Sequence, residues 1–130
     1  MLRLARTSTL LKRLQPSRTL VTMQQMEKYV QDPKVTVIDV RGDTELVIGT
    51  IQAKNFLHIP LPEIDAAFQM DPNVFRATYG HKMPEKDDEI VIYCKAGVRA
   101  NTAVQIMKNY GFTEADFYGG SYDEWSQFHK

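Results

Sequence analysis

Cys94 is the only cysteine of the 130-residue chain, and it heads the run Cys94-Lys95-Ala96-Gly97-Val98-Arg99. A thiol, two cationic side chains and a glycine within six residues are the parts of an activated nucleophile. Ile90-Val91-Ile92-Tyr93 precede it, β-branched and aromatic, and a helical pattern starts at Ala100-Asn101-Thr102-Ala103. The cysteine is therefore expected where a buried strand turns into a helix, facing free backbone N–H groups and the positive end of a helix dipole. These features, with Lys95 and Arg99, favour the thiolate, which is the nucleophilic form. A lone cysteine is also a common small core residue. Taken by themselves, the residues leave both roles open.

The elements that must position this loop follow from periodicity. Met23 to Val30 reads as a short amphipathic helix ended at Asp32-Pro33. Val35 to Val40 is a β-branched run suited to a central parallel strand. Arg41 to Thr50 reads as a polar loop, and Asn55 to Ile59 as a second strand stopped by Pro60 and Pro62. Pro62 suits the first turn of a helix running to about Gln69, and Asp71-Pro72 suit the N-cap and N1 of another ending at Tyr79. Gly80 to Asp88 is an exposed connection to a strand over Glu89 to Tyr93. The next helix places Ala103, Ile106, Met107 and Tyr110 on one side, with Gly111 as its C′ residue. A last strand within Phe112 to Tyr118, Gly119-Gly120 and a helix carrying Tyr122, Trp125 and Phe128 complete the chain, with Trp125 expected in the core. Strands separated by helices imply an α/β fold, a central parallel sheet of about five strands with helices on both faces. In such sheets ligands bind beyond the carboxyl ends of the strands, where Cys94 and Asp39-Val40-Arg41 both fall.

Composition narrows the possibilities. Hydrophobic residues make up 43% and charged residues 25%, as in an ordinary globular domain of this length. No stretch approaches the roughly 18 apolar residues of a membrane span. One cysteine excludes an internal disulfide and a Cys-rich metal site, and His58, His81 and His129 are scattered without ligand spacing. The formal charge of zero is unevenly spread. Residues 1–20 carry Arg3, Arg6, Lys12, Arg13 and Arg18, while the first acidic residue is Glu27. That stretch is also rich in Leu, Ser and Thr, the composition of a mitochondrial transit peptide; a disordered basic tail is the alternative. The division expected is a presequence over 1–20 and one domain over 21–130, located in the mitochondrial matrix. Without its basic start the chain is acidic, which gives no electrostatic support for nucleic-acid binding.

Over nearly all of residues 22–128 the chain resembles the rhodanese-like sulfurtransferases. The resemblance is carried by Val37-Ile38-Asp39-Val40-Arg41, Ile59-Pro60-Leu61 and Tyr93-Cys94-Lys95-Ala96-Gly97-Val98-Arg99, then by Tyr110-Gly111-Phe112 and Gly119-Gly120 with Trp125. Each is weak alone, and their joint order and spacing is specific. The loop and Lys82-Met83-Pro84 are most similar to the small single-domain subgroup of mitochondrial thiosulfate sulfurtransferases and heat shock protein 67B2-like chains. The resemblance implies a rhodanese-like fold and a ping-pong reaction. Cys94 would take the sulfane sulfur of thiosulfate or a related persulfide donor and pass it to cyanide or a thiol such as glutathione or thioredoxin. It implies no metal and no organic cofactor. The loop N–H groups of Lys95, Ala96, Gly97, Val98 and Arg99 would cradle the sulfur, with the Lys95 and Arg99 side chains attracting an anionic donor. Arg41 either joins them from the rim or closes a salt bridge with Asp39 or Glu45. Asp39 is expected to orient the site backbone, and Gly97 to satisfy backbone conformation and close approach.

The chain departs from the family at Thr50, where a histidine is frequent, and at Ala100, where a serine is frequent. Two rivals remain. One is a persulfide carrier without turnover. The other is a cysteine-dependent phosphatase or arsenate reductase, whose loops place five residues between Cys and Arg; here Lys95 to Val98 are four. Oligomeric state is not legible in the sequence.

Overall fold

The structure, a computed structural model, describes residues 20–130. The expected presequence falls on residues outside that range except for Leu20, which opens the first strand. The elements run β1 (Leu20–Val21), α1 (Met23–Tyr29), β2 (Val35–Asp39), α2 (Asp43–Leu46), β3 (Phe56–His58), α3 (Leu61–Ala67), α4 (Pro72–Tyr79), β4 (Glu89–Tyr93), α5 (Val98–Asn109), β5 (Ala115–Tyr118) and α6 (Ser121–Phe128). The five strands form one all-parallel sheet in the order β1-β5-β4-β2-β3. From β2 the chain moves outward to β3; from β4 it moves the other way to β5. The crevice between the carboxyl ends of β2 and β4 is thus the switch point at which such sheets bind ligands.

Alternation along the central strands sorts the core onto two faces. Ile38, Val40, Ile90, Ile92 and Cys94 pack with α3, α4 and α5 through Ile64, Phe75 and Met107. Val35, Val37, Val91 and Tyr93 pack with α1 and α6 through Met26, Val30 and Trp125. Every residue of β2 is buried, as a strand covered on both sides requires. Register then sets the site: Asp39 pairs with Tyr93, and the Val40 N–H donates to the Tyr93 carbonyl at 3.1 Å. Cys94 therefore leaves the sheet beside Asp39-Val40-Arg41.

Local chemistry explains the helix ends. Thr22 and Gln25 form a reciprocal capping box at the start of α1. Asp71 accepts from the Asn73 N–H, with Pro72 in the first turn of α4. Gly111, at φ +94°, ends α5. Two short elements differ from the sequence expectation. The polar loop over 41–50 contains α2, begun at Gly42, whose N–H donates to Glu45 Oε1 at 3.1 Å. A two-residue strand, β1, adds an edge beside β5. The buried face of α5 is also turned from the expected one: Ala100, Ala103, Val104 and Met107 are buried, while Ile106 and Tyr110 are partly buried.

Candidate active site

The loop after β4 folds back over the Cys94 sulfur. Sγ accepts the Gly97 N–H at 3.0 Å and the Ala100 N–H at 3.4 Å. These are free donors at the start of α5, which its own turns leave unpaired. The fold-back depends on Gly97, whose φ is +102° and whose missing Cβ would stand 2.8 Å from the Gly119 carbonyl oxygen. Ala100 is fully buried and contributes its amide, so the frequent serine hydroxyl is not needed to place that donor.

The other side of the loop rests on α6, a contribution with no local signal in the sequence. The Ser121 hydroxyl accepts the Cys94 N–H at 3.1 Å, donates to the Tyr118 carbonyl at 2.8 Å and lies 4.0 Å from Sγ. Ser121 is fully buried and, among the described residues, is the one non-glycine with positive φ, at +52°. A serine held there costs of order 1–3 kcal/mol and persists only where its surroundings fix it. The next two amides take up loop carbonyls: Tyr122 N–H to Cys94 at 2.9 Å and Asp123 N–H to Lys95 at 2.9 Å. Both polar groups of the Cys94 backbone are thereby held by the first turn of α6.

The cationic side chains are placed differently from the expectation. Arg41 is not a rim contact. It is 2% exposed, with Nη2 and Nε on the Asp39 carboxylate at 2.8 and 3.1 Å and Nη2 also donating to the Gly49 carbonyl at 2.7 Å. Its guanidinium also lies 4.4 Å from the ring centroid of Tyr122. Of the two roles open to Arg41, the structure builds the salt bridge: Nε and Nη2 are both engaged by Asp39, itself fully buried, and Nη1 lies 3.4 Å from the Glu45 carbonyl. Asp39 also accepts the Arg41 N–H at 2.9 Å, so it fixes the backbone at the end of β2. Burial pushes the Tyr93 phenol far up; its neutral oxygen accepts the Ile51 N–H at 2.9 Å.

Lys95 and Arg99 stay on the loop, but both are paired. Lys95 is 63% exposed and meets Asp123 at 2.9 Å. Arg99 forms a bidentate pair with Glu45 at 2.7 and 2.9 Å across the mouth of the loop. The Glu45 hydrogen bonds hold its guanidinium above its ordinary range, with smaller contributions from Cys94 and Asp39. Ala96 and Val98 are exposed. A cleft of about 230 Å3 lies on one flank, between Ile48, Lys95 and Tyr122, and a groove of about 720 Å3 on the other, between Leu20, Ala96 and Asn101. No cluster able to hold a metal ion occurs among the described residues.

This arrangement can carry a nucleophilic sulfur whose negative charge is shared by two backbone N–H groups. Comparison with known proteins identifies the family. The rhodanese-like domain family matches residues 22–128. Human thiosulfate:glutathione sulfurtransferase is 34% identical over 106 residues, 81% of this chain and 90% of that protein. A mitochondrial thiosulfate sulfurtransferase of Saccharomyces cerevisiae is 28% identical over 106 residues, 80% of this chain and 70% of that protein. The crystal chain of a human single-domain sulfurtransferase superposes with a TM-score of 0.80 at 32% identity, covering 86% of this chain and 98% of that one.

Proposed function

The chain belongs to the rhodanese-like sulfurtransferase family, and on that premise we propose that it moves a sulfane sulfur from thiosulfate, or a related persulfide donor, to a thiol such as glutathione through a persulfide on Cys94. The observation that carries this reading is the pair of N–H groups, Gly97 and Ala100, aimed at one sulfur. In the first step the Cys94 thiolate attacks the outer sulfur of thiosulfate. A new S–S bond forms, the donor's S–S bond breaks, and its electron pair leaves with sulfite. In the second step an acceptor thiolate attacks the outer sulfur of the Cys94 persulfide; the Cys94 sulfur leaves as thiolate and the acceptor keeps the sulfur as its own persulfide. No second cysteine is present to resolve the intermediate, so the acceptor comes from outside the chain. Oriented N–H groups stabilise the anionic Cys94 sulfur from which the first step starts and to which the second returns.

Glutathione as acceptor is supported by the name of the human relative, and mitochondrial location by the name of the yeast one. The Arg-, Leu- and hydroxyl-rich residues 1–20 support their reading as a transit peptide ahead of the 21–130 domain.

The test is intact mass of the full chain after thiosulfate alone, followed by turnover with glutathione and with cyanide, for wild type and Cys94→Ser. A gain of one sulfur atom and turnover, both absent in the variant, are expected. An adduct without turnover would make the protein a persulfide carrier. A folded protein with neither adduct nor turnover from any persulfide donor overturns the reading.

A further inference from the structure

We propose that Glu45 selects the charge of the sulfur donor, acting as an internal counter-ion that offsets the attraction of Arg99 for a dianionic donor. The inference rests on the reading of Cys94 as the sulfur acceptor and adds to it the class of donor the site prefers.

The carboxyl end of the sheet gathers three cations, and each has its own carboxylate: Arg41 with Asp39, Lys95 with Asp123 and Arg99 with Glu45. An incoming anion therefore meets three closed pairs. Arg41–Asp39 is buried, with Nε and Nη2 both held by the carboxylate. Lys95–Asp123 lies on the surface, where such pairs exchange with solvent at little cost. Arg99–Glu45 is the consequential one. Both carboxylate oxygens engage the guanidinium, the two side chains are 35% and 29% exposed, and Glu45 Oε1 is further fixed by the Gly42 N–H at 3.1 Å. Bidentate pairing to arginine is among the stronger polar contacts in proteins.

Thiosulfate carries two negative charges on a small body. At Arg99 it meets a guanidinium whose charge Glu45 already balances, and the Glu45 carboxylate stands as a further negative charge beside the donor. A donor whose sulfane sulfur sits on an uncharged carbon chain meets less of this repulsion. The Gly97 and Ala100 N–H groups serve both donors equally, because they address the sulfur and not the group that leaves. Glu45 is thus a specificity residue that discriminates against inorganic dianions and toward organic persulfides.

The experiment compares the full-length wild type with Glu45→Gln. KM for thiosulfate is expected to fall roughly three- to fivefold, the size of one competing ionic contact at a partly exposed site. KM for an alkyl hydropersulfide should stay within about twofold, since its carbon body carries no charge for Glu45 to repel. Asp123→Asn, which frees the exposed Lys95, should shift the thiosulfate KM less than Glu45→Gln does. An unchanged or raised thiosulfate KM in folded Glu45→Gln, or an equal fall for both donors, overturns the proposal. If Glu45→Gln does not fold, Glu45→Asp carries the test, with a smaller fall for thiosulfate alone. A second readout stands apart from turnover: protection of Cys94 from iodoacetamide by sulfate. Half-protection at a lower sulfate concentration in the variant supports the counter-ion role even if the wild type transfers no sulfur, and equal concentrations overturn it.

Discussion

At Gly97 two constraints meet that no other residue type satisfies: a left-handed φ of +102° and a backbone oxygen 2.8 Å from where a Cβ would sit. Because the same residue donates its N–H to the Cys94 sulfur, its conformation and the chemistry are one requirement. Gly97→Ala is expected to destabilise the protein by roughly 2 kcal/mol or more, from strain and a backbone clash together. It should also slow sulfur pick-up by Cys94 at least about tenfold, as the loss of one preorganised donor does elsewhere. Thermal melting and the rate of the one-sulfur mass gain check the two effects, and normal pick-up in a folded variant would count against the N–H cradle. Gly97 and Cys94 were legible in the sequence because the strand, the glycine and the helix that shape them are contiguous. Ser121 and Glu45 were not legible as partners of this loop. They lie 27 and 54 residues from the atoms they bind, and register alone brings them there.

Among the elements, the long periodic ones were readable: β2, β4, α4 and α5 lie where β-branched runs, Asp71-Pro72 and Gly111 put them. The missed ones are the shortest. β1 has two residues whose only pattern is being apolar, and they follow a basic stretch of sequence. α2 has one turn, a glycine cap and no buried residue, so neither amphipathicity nor an N-cap hydroxyl announced it. Yet α2 is what delivers Glu45 to α5. Hydrogen bonds from Arg99 hold the Glu45 carboxyl at about 2, below its usual 4.5. A carboxyl depressed on folding adds stability that is complete above the unfolded value and is lost as pH falls toward the folded one. The melting-temperature gap between wild type and Glu45→Gln should therefore hold steady from about pH 7 to 5 and close between pH 4.5 and about 2. A gap that persists at the acid end would mean that the two elements are not tied through this charge.

Across the whole molecule, both faces of the sheet contribute to one loop. The α5 side supplies the donors to sulfur, and the α6 side supplies the supports of the Cys94 backbone. The fold class and the position of the site followed from strand–helix alternation, since a parallel sheet leaves one end open at its switch point. The closed charge pairs did not, because pairing depends on side chains meeting across elements. Targeting belongs to this scale as well. A full-length fusion with a fluorescent protein at its C-terminus should enter mitochondria, and the same fusion lacking residues 1–19, which retains β1, should stay in the cytosol; import of the shortened fusion would count against the presequence. The contacts of α6 carry one more consequence, for how the chain is made. The donors that hold the Cys94 and Lys95 carbonyls belong to Tyr122 and Asp123, well downstream of the loop they close. A nascent or truncated polypeptide ending before Ser121 has the cysteine, the glycine and the arginine in sequence but lacks the clasp that closes over them. In synthesis from the N-terminus the clasp is therefore made 27 residues after the cysteine it closes over.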